Sequence, residues 1–386
     1  MSIGIAPDTR PLQIALDSPI PFMRDFSVKK GKIPSARRNA RLSPKPVSLK
    51  ELAERLGLSP ATVSLVINRS PVADSIPKET QDRVLAAARK YKYRPNFLAR
   101  SLRAQRSFTI GVIVPEVSEG YSAAVMSGVE AHLLQEGYFY FVVSHRHRPD
   151  LIDEYPRLFL QRSVDGLIAV DTPWTLPLSV PVVTVSGHNQ VKGVTNIVLD
   201  HVRAAEVALK HLSQLGHRNI AFIKGQDFSS DTAVRWANIE KTARQLSLPI
   251  SSALTAQLEG DSPSPEPGYV ATKKLLASRK SFTALFAFND ISAMGAIRAL
   301  REARLRVPED VSVVGFDDIQ SAAYQNPALT TVRQPMREMG RIAAETLLRH
   351  IRRPSHDSHS AEITVEPKLI IRETTSHAKD SAPRRK

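Results

Sequence analysis

Side chains that can bond DNA lie close together between residues 60 and 68. Thr62 and Ser64 carry hydroxyl groups that can hydrogen-bond to phosphate oxygens or base edges. Ala61 offers a methyl group that can contact the methyl group of thymine. The chemistry that these residues support is recognition of double-stranded DNA. A helical hairpin that packs and binds nothing is the alternative interpretation.

The surrounding residues predict two short helices joined by a tight turn. Ser48 and Glu51 have the spacing of a capping box, which begins a first helix. Gly57 suits the left-handed conformation that ends a helix, and Ser59 followed by Pro60 suits the start of the next. Such a helix pair is typical of the helix-turn-helix, whose second helix reads DNA.

Two further helices are predicted after this pair. Apolar periodicity indicates a third helix over residues 77–91. A short basic helix then begins at Pro95 and carries Arg100 and Arg103 beside an exposed Leu102. A helix this short is marginal alone in water, so we expect it to order on DNA, where a leucine can enter between base steps of the minor groove.

The charge of the chain is concentrated at its start. The net charge is +15 over 386 residues, and residues 1–106 hold 21 Lys and Arg against 8 Asp and Glu, a net +13. This asymmetry indicates a polyanionic partner for the first part of the chain only. Residues 1–46 have no sustained periodicity and are predicted to be a disordered basic arm. Alternatively, translation begins later, for instance at Met23.

From Phe108 onward the pattern alternates between strands and amphipathic helices. Such alternation over this length predicts parallel sheets with helices on both faces, arranged as two similar Rossmann-like lobes with a cleft between them. We expect the chain to cross between the lobes near residues 199–200, near 331–334, and once more in the C-terminal segment. The predicted strands are 109–114, 138–144, 166–170, 182–185, 220–224, 284–287 and 311–315, and the predicted helices are 122–136, 201–215, 231–246, 267–278, 290–303 and 336–352.

Polar residues that follow these strands predict a small-molecule site, because ligands bind beyond the carboxyl ends of parallel strands. Arg235 can donate a planar fork of hydrogen bonds, Asp317 can accept, and Asn289 can do both. Tyr121 offers an aromatic face. This set suits the vicinal hydroxyl groups of a sugar. Asn289 with Asp290 could instead simply cap a helix.

Several other functions are disfavoured. The chain has no cysteine, so disulfides and thiol chemistry are absent, and no phosphate-binding glycine loop or nucleophile elbow occurs. We therefore predict no enzyme activity, no cofactor and no metal, and interpret His145 and His147 as part of a surface loop. No apolar run is long enough for a membrane span and no secretory signal is present, so a cytoplasmic location is expected.

The chain resembles the lactose-repressor (LacI/GalR) family of bacterial transcription regulators. The matching stretches are LKELAERLGLSPATVSLVINRS, YRPNFLARSLR, GFDDI and PALTTVRQP, in the family's order. The resemblance covers about residues 47 to 375. It implies an all-α helix-turn-helix head and an α/β sensor like periplasmic binding proteins.

The resemblance also implies roles for individual residues. Residues that would contact or support contact with operator DNA are Pro60, Ala61, Thr62, Ser64, Leu65, Asn68, Ala99, Leu102 and Arg103. Residues that would bind the effector are Tyr121, Arg235, Asn289 and Asp317. Leu65 replaces an arginine found in many members, and Ser262 replaces a stacking aromatic residue, so neither operator nor effector transfers from known relatives.

Together these observations predict a ligand-responsive, sequence-specific DNA-binding transcription regulator. Its expected form is a homodimeric repressor of carbohydrate-related genes that binds a sugar or sugar derivative. A ligand-independent regulator with a vestigial sugar-binding lobe pair is the alternative. The predicted parts are a disordered arm (1–46), the helix-turn-helix (47–92), a hinge helix (93–106), a two-lobed effector-binding and dimerisation domain (107–375) and a basic tail (376–386).

Overall fold

The helix-turn-helix predicted from the capping residues is present in the computed structural model. Both bonds of the capping box form: the Ser48 backbone nitrogen donates to Glu51 Oε2 at 2.7 Å, and the Glu51 nitrogen donates to Ser48 Oγ at 3.2 Å. Gly57 ends the first helix with a φ of 65°. The helices are α1 (Leu49–Leu56), α2 (Pro60–Ile67) and α3 (Lys78–Lys90), with a short 3-10 helix at Pro71–Ser75.

A small apolar core holds these three helices together. Its members come from every helix and are all nearly inaccessible to solvent, which leaves the remaining surface of α2 free to carry polar side chains. The buried core residues are Leu52, Ala53, Val63, Val66, Ala73, Val84 and Ala87.

The described part of the chain forms two compact units, divided between Pro95 and Asn96. The structure describes residues 47–68, 70–93, 101, 105–117, 120–175, 177–353 and 361–379. The predicted arm (1–46) and most of the predicted hinge helix, including Ala99, Leu102 and Arg103, lie outside the described residues. The first residues of the predicted tail lie on the second unit, where the Ala378 nitrogen donates to the Leu215 carbonyl oxygen at 2.8 Å.

The second unit contains two six-stranded sheets. In chain order the strands are β1 (Thr109–Val114), β2 (Phe139–Ser144), β3 (Gly166–Val170), β4 (Val182–Val185), β5 (Val194–Leu199), β6 (Ile220–Lys224), β7 (Thr255–Gln257), β8 (Ala284–Phe286), β9 (Ser312–Asp317), β10 (Thr330–Arg333), β11 (Ala361–Val365) and β12 (Lys368–Ile370). The first sheet has the order β11-β5-β4-β3-β1-β2, and the second has the order β12-β10-β9-β8-β6-β7. Neighbouring strands are parallel, except that β12 runs antiparallel to β10.

Helices cover both sheets and complete two lobes. The first lobe contains the first sheet with α4 (Tyr121–Gln135), α5 (Pro149–Gln161) and α10 (Met336–Arg352). The second lobe contains the second sheet with α6 (His201–Gln214), α7 (Ser230–Gln245), α8 (Glu266–Ala277) and α9 (Asp290–Glu302). The prediction of parallel sheets with helices on both faces, in two similar lobes, is therefore confirmed.

The chain passes between the lobes at the three predicted places. It leaves the first sheet after β5, returns after β10, and crosses again between β11 and β12. Each crossing brings residues of both lobes to the carboxyl ends of the parallel strands. A site at that edge can therefore draw side chains from both lobes.

Five strands and one helix were not predicted from local pattern. The strands are β5, β7, β10, β11 and β12, and the helix is α5, whose interior Pro156 breaks the usual helical signal. Strand β5 is buried yet contains Asn196, whose Oδ1 accepts a hydrogen bond from Thr184 Oγ1 at 2.8 Å. Such strands depend on partners distant in sequence, so alternation within the strand does not reveal them.

Glycines allow one helix pair in each lobe to cross with direct backbone contact. A Cβ atom built at Gly128 on α4 would overlap the carbonyl oxygen of Arg337 on α10, and one at Gly340 would overlap that of Val125. In the second lobe, Gly268 on α8 and Gly295 on α9 meet in the same way, against Ser292 and Pro265 respectively. These four positions have no room for a side chain.

We expect Gly128→Ala to lower the free energy of unfolding by about 1–3 kcal/mol, because the added methyl group must separate α4 from α10. Thermal and urea unfolding followed by circular dichroism measure this loss. Ser127→Ala, at the adjacent position of α4 and bonded only to the Ala124 carbonyl oxygen, is the matched control and should change stability far less. Equal stability of the two variants would contradict the close crossing.

Candidate functional site

Helix α2 presents one buried face and one accessible face. Val63 and Val66 are buried in the core of the first unit, whereas Pro60 and Ala61 are exposed at the start of the helix. Leu65 is half-buried and packs against that core. The accessible face is therefore the one that carries the small and polar side chains predicted to meet DNA.

The polar residues of α2 are held by local hydrogen bonds. Ser59 caps the helix, and its Oγ forms a hydrogen bond with Thr62 Oγ1 at 2.9 Å. Asn68 Nδ2 donates to the Ser64 carbonyl oxygen at 2.8 Å. These bonds restrict the rotamers of the side chains before any partner arrives, which lowers the entropy lost on binding.

All four residues predicted to bind the effector line one cavity. The cavity has a volume of about 130 Å³ and lies at the carboxyl ends of strands from both sheets. Tyr121, Arg235, Asn289 and Asp317 contribute to its wall, together with Phe288. The rule that ligands bind beyond the carboxyl ends of parallel strands therefore brings these residues together in this chain.

Arg235 is a buried cation fixed from three sides. It is 5% exposed, and its Nη2 donates to Asp231 Oδ2 at 2.7 Å while Nη1 donates to the Phe288 carbonyl oxygen at 2.6 Å. The guanidinium carbon lies 4.4 Å from the ring centroid of Phe288 and 3.8 Å from that of Phe316. Stacking on two rings orients the guanidinium plane and favours the charge in a dry site.

Asp231 is the carboxylate on which the site's basic groups converge. Its Oδ1 accepts a short hydrogen bond from His188 and lies 3.6 Å from His201 Nε2. Burial by itself would raise the pKa of Asp231, but the hydrogen bond from His188, the nearby imidazole of His201 and the charge of Arg235 hold that pKa well below its usual value. Asp231 is therefore ionised in the folded protein.

Two other carboxyl groups of the cavity hold their protons more tightly. Burial raises the pKa of Asp317 to about 7, although Arg235 lies nearby and Gln334 Nε2 donates to its Oδ1 at 2.6 Å. Burial and the charge of Asp231 raise the pKa of Asp171 to about 7, against a hydrogen bond from Ser230 Oγ at 2.7 Å. Near neutral pH, the cavity can thus offer these oxygens as donors or acceptors.

Tyr121 and Asn289 are already engaged in hydrogen bonds. The hydroxyl group of Tyr121 and Ser186 Oγ lie 2.8 Å apart, and burial with the charge of Asp231 raises the pKa of Tyr121 well above its usual value. Asn289 caps α9, since its Oδ1 accepts from the Ser292 nitrogen at 2.8 Å. Its amide NH₂ group is the part that remains for a ligand.

Two neighbouring acidic residues, Asp290 and Asp318, make contacts that define structural roles for them. Asp290 is the first residue of α9 rather than its cap, and it is fully buried, accepting from the Ile319 nitrogen at 2.9 Å and from Thr331 Oγ1 at 2.5 Å. Asp318 binds Arg333 and Arg372, each at 2.6 Å. Both residues stabilise the second lobe and neither lines the cavity described above.

The interpretation of His145 and His147 as a surface loop is wrong. His145 is 1% exposed and its Nε2 lies 3.1 Å from Thr172 Oγ1, while burial lowers its pKa to about 4. His147 lines the cavity and stacks on Phe228 with ring centroids 3.8 Å apart. The loop after β2 therefore turns toward the cavity rather than toward solvent.

Two site residues were missed from sequence. Asp171 follows β3 directly, so the rule that selected Tyr121 and Asp317 would also have found it. His201 follows β5, which was not predicted as a strand, so nothing placed its side chain near the cleft. Both residues interact with Asp231, since its charge contributes to the raised pKa of Asp171 and its Oδ1 lies 3.6 Å from His201 Nε2.

A helix-turn-helix unit together with a two-lobed sensor that encloses a polar cavity defines a ligand-responsive, DNA-binding transcription regulator. The family described as bacterial regulatory proteins, lacI family, matches residues 48–96, and a periplasmic binding protein-like domain matches residues 209–375. The chain belongs to the lacI family of bacterial regulatory proteins. None of its described helices is long and apolar enough to span a membrane.

Curated relatives and solved structures agree with this assignment. The chain is 34% identical over 337 residues to the HTH-type transcriptional repressor PurR of Haemophilus influenzae, covering 85% of this chain and 98% of the relative. PurR of Erwinia tasmaniensis is 33% identical, with 85% and 97% covered. The lac repressor dimer bound to operator and the anti-inducer ONPF has a TM-score of 0.72 at 27% identity, covering 86% and 100%, and the regulator CelR with cellobiose has 0.63 at 26%, covering 85% and 99%.

The raised pKa of Asp317 predicts that the free energy of unfolding falls as the pH rises. Between about pH 4 and pH 7 the folded protein holds a proton that the unfolded chain has lost, so this group lowers the free energy of unfolding by up to about 1.4 kcal/mol per pH unit. We expect Asp317→Asn to flatten this part of the curve, because the amide needs no proton.

Melting temperatures measured from pH 5 to pH 8 test the effect. Wild type should lose more stability over this range than Asp317→Asn, while Asp261→Asn, which changes an exposed carboxyl group on the wall of the same cavity, should follow wild type. Parallel curves for wild type and Asp317→Asn would mean that Asp317 stays ionised.

Proposed function

We propose that this chain is a cytoplasmic, homodimeric repressor whose affinity for DNA is set by a sugar or sugar derivative bound in the cavity between its lobes. The observation that carries this proposal is the fixed, buried guanidinium of Arg235 beside Asp317 in a cavity of about 130 Å³. Its curated relatives named above are transcriptional repressors, which supports a non-catalytic role.

A polyhydroxylated ligand suits this cavity because the wall alternates donors and acceptors. Arg235 donates, Asp317 accepts or donates according to its protonation, and the Asn289 amide donates. The ring of Phe288 supplies an apolar face for a sugar, in place of the aromatic residue replaced by Ser262. Cellobiose in the similar regulator CelR supports a carbohydrate ligand, whereas the PurR relatives leave the regulated genes open.

Exposed apolar residues on the first lobe support the homodimer. Leu134 of α4 and Phe139 and Phe141 of the edge strand β2 are 61%, 58% and 41% exposed. Large apolar side chains grouped at a sheet edge are typical of a protein interface. We propose that a second copy covers this surface, so that two recognition helices can meet two half-sites of an operator.

Regulation follows from a difference in ligand affinity between two arrangements of the lobes. A ligand that contacts Arg235 and Asp317 of the second lobe together with Tyr121 of the first favours the arrangement in which all three can reach it. We propose that this arrangement controls the hinge segment (93–106), and that the basic arm (1–46) adds non-specific attraction to DNA. Ala99, Leu102 and Arg103 keep their proposed role in the minor groove.

The recognition helix predicts a loss of affinity on Thr62→Ala. Removal of the hydroxyl group should weaken DNA binding by about 1 kcal/mol, roughly fivefold, because one hydrogen bond to DNA is lost. Fluorescence anisotropy on an operator selected from a random duplex library measures it. Ser75→Ala removes an exposed hydroxyl group of the same unit, which donates to the Val72 carbonyl oxygen and lies outside α2, and should bind like wild type. If Thr62→Ala also binds like wild type, α2 does not read DNA through this side chain.

The cavity predicts that Arg235→Lys weakens the effector response without weakening DNA binding. Lysine keeps the charge but loses the planar fork that bonds Asp231 and a ligand together, so affinity for the ligand should fall at least about tenfold. Calorimetry against a carbohydrate panel, followed by gel shifts, measures both properties. Arg298→Lys, on the exposed face of α9, is the matched control.

Two outcomes would oppose this assignment. Undiminished ligand affinity in Arg235→Lys would place the effector elsewhere. A wild-type chain that binds DNA but no member of the panel would favour a regulator that has lost its response to sugars.

A further inference from the structure

We infer that His188, His201 and Asp231 form a binding site for a divalent transition-metal ion at the junction of the two lobes. Each residue offers one ligand atom, and these three atoms lie within 4.8 Å of one another. The effector cavity borders this cluster through Asp231, yet neither histidine lines that cavity. The cluster is therefore a second site, which goes beyond the function proposed above.

The buried, unpartnered imidazole of His201 indicates a ligand site. The residue is 5% exposed, and neither of its ring nitrogens has a hydrogen-bond partner among the described residues. A buried polar group without a partner loses the hydrogen bonds that it made to water, at a cost of about 1–3 kcal/mol. A metal ion bound to the lone pair of Nε2 would give that nitrogen a partner, although the Nδ1–H group would still lack one.

One of the spacings between the ligand atoms, that of His201 from Asp231, is near the spacing in a metal centre. Zinc binds imidazole nitrogen and carboxylate oxygen at about 2.0–2.2 Å in tetrahedral geometry, which places ligand atoms roughly 3.4 Å apart. His201 Nε2 lies 3.6 Å from Asp231 Oδ1. His188 is closer, since it shares a hydrogen with the same oxygen, and the ion would take the place of that hydrogen. Two nitrogens and one oxygen leave a fourth position for water.

The surrounding charges favour a cation in spite of Arg235. The guanidinium group binds Oδ2 of Asp231 at 2.7 Å, on the oxygen opposite to the histidines, so it orients the carboxylate and leaves Oδ1 for the metal. Asp171 interacts electrostatically with both His188 and Asp231. Asp317 also lies near Asp231, so a bound cation would favour the ionised forms of both Asp171 and Asp317.

The ligands come from both lobes. His188 follows β4 of the first sheet, whereas His201 begins α6 and Asp231 lies in the first turn of α7, both in the second lobe. An ion bound to all three would fasten the lobes together beside the effector cavity. Occupancy of this site would then change the same lobe arrangement that the effector controls. The metal ion would therefore be a second regulator of the affinity for DNA.

Titration of the full-length chain with Zn²⁺ tests the site. After treatment with a chelator and buffer exchange, calorimetry should show one tight equivalent per chain. His188→Gln and His201→Gln should each weaken this binding at least about a hundredfold, because losing a ligand costs more than losing an outer-shell partner. His350→Gln, on α10, and the double variant His356→Gln/His359→Gln, which removes two further histidines, should bind zinc like wild type.

X-ray absorption of the wild-type zinc complex keeps the test independent of whether the variants fold. Two imidazoles at about 2.0–2.1 Å with low coordination number support the site. A water-rich six-coordinate shell, the absence of a stoichiometric equivalent, or affinity unchanged in well-folded His188→Gln and His201→Gln proteins would overturn it. These readouts need no sugar, so they stand apart from the test of the effector cavity.

Discussion

The ionised carboxylate of Asp231 is the interaction on which the centre of the sensor depends. Burying a carboxylate and a guanidinium group costs several kcal/mol each, and only good geometry with further hydrogen bonds offsets this. Asp231 and Arg235 are one helical turn apart on α7, so the helix itself sets their geometry. The pair then organises its surroundings, since Arg235 stacks on Phe288 and Phe316 at the ends of β8 and β9.

The same carboxylate joins the two lobes. His188 reaches it from the loop after β4, and the nearby Ser230 hydroxyl, also at the start of α7, donates to the Ser186 carbonyl oxygen of that loop at 2.6 Å. The carboxylate of Asp231, in the second lobe, therefore has a bonding partner from the first lobe as well. A ligand that displaces His188 from Asp231 would therefore alter a contact between the lobes directly.

Local signals in the sequence predicted the elements that are stabilised locally. Ser48, Gly57 and Ser59 cap their helices through neighbours in sequence, so their pattern sufficed. Strand β5 was not predicted because buried Asn196 depends on Thr184 and Gly187, which lie outside the strand. The rule for parallel strands placed Arg235 and Asp317 in one cleft, and the spacing of Asp231 and Arg235 within the predicted helix 231–246 is that of an ion pair. No pattern in the sequence indicated that His201 would lie beside them.

The glycine crossings of α4 with α10 and of α8 with α9 have a mechanical consequence. Where backbone lies against backbone, no side chain can change rotamer to absorb a displacement, so each lobe is stiff in bending. Deformation must then concentrate in the three chain segments that connect the lobes. The lobes act as levers and these connections as a shared hinge, so a shift of a fraction of an ångström at the cavity grows in proportion to the distance from the hinge.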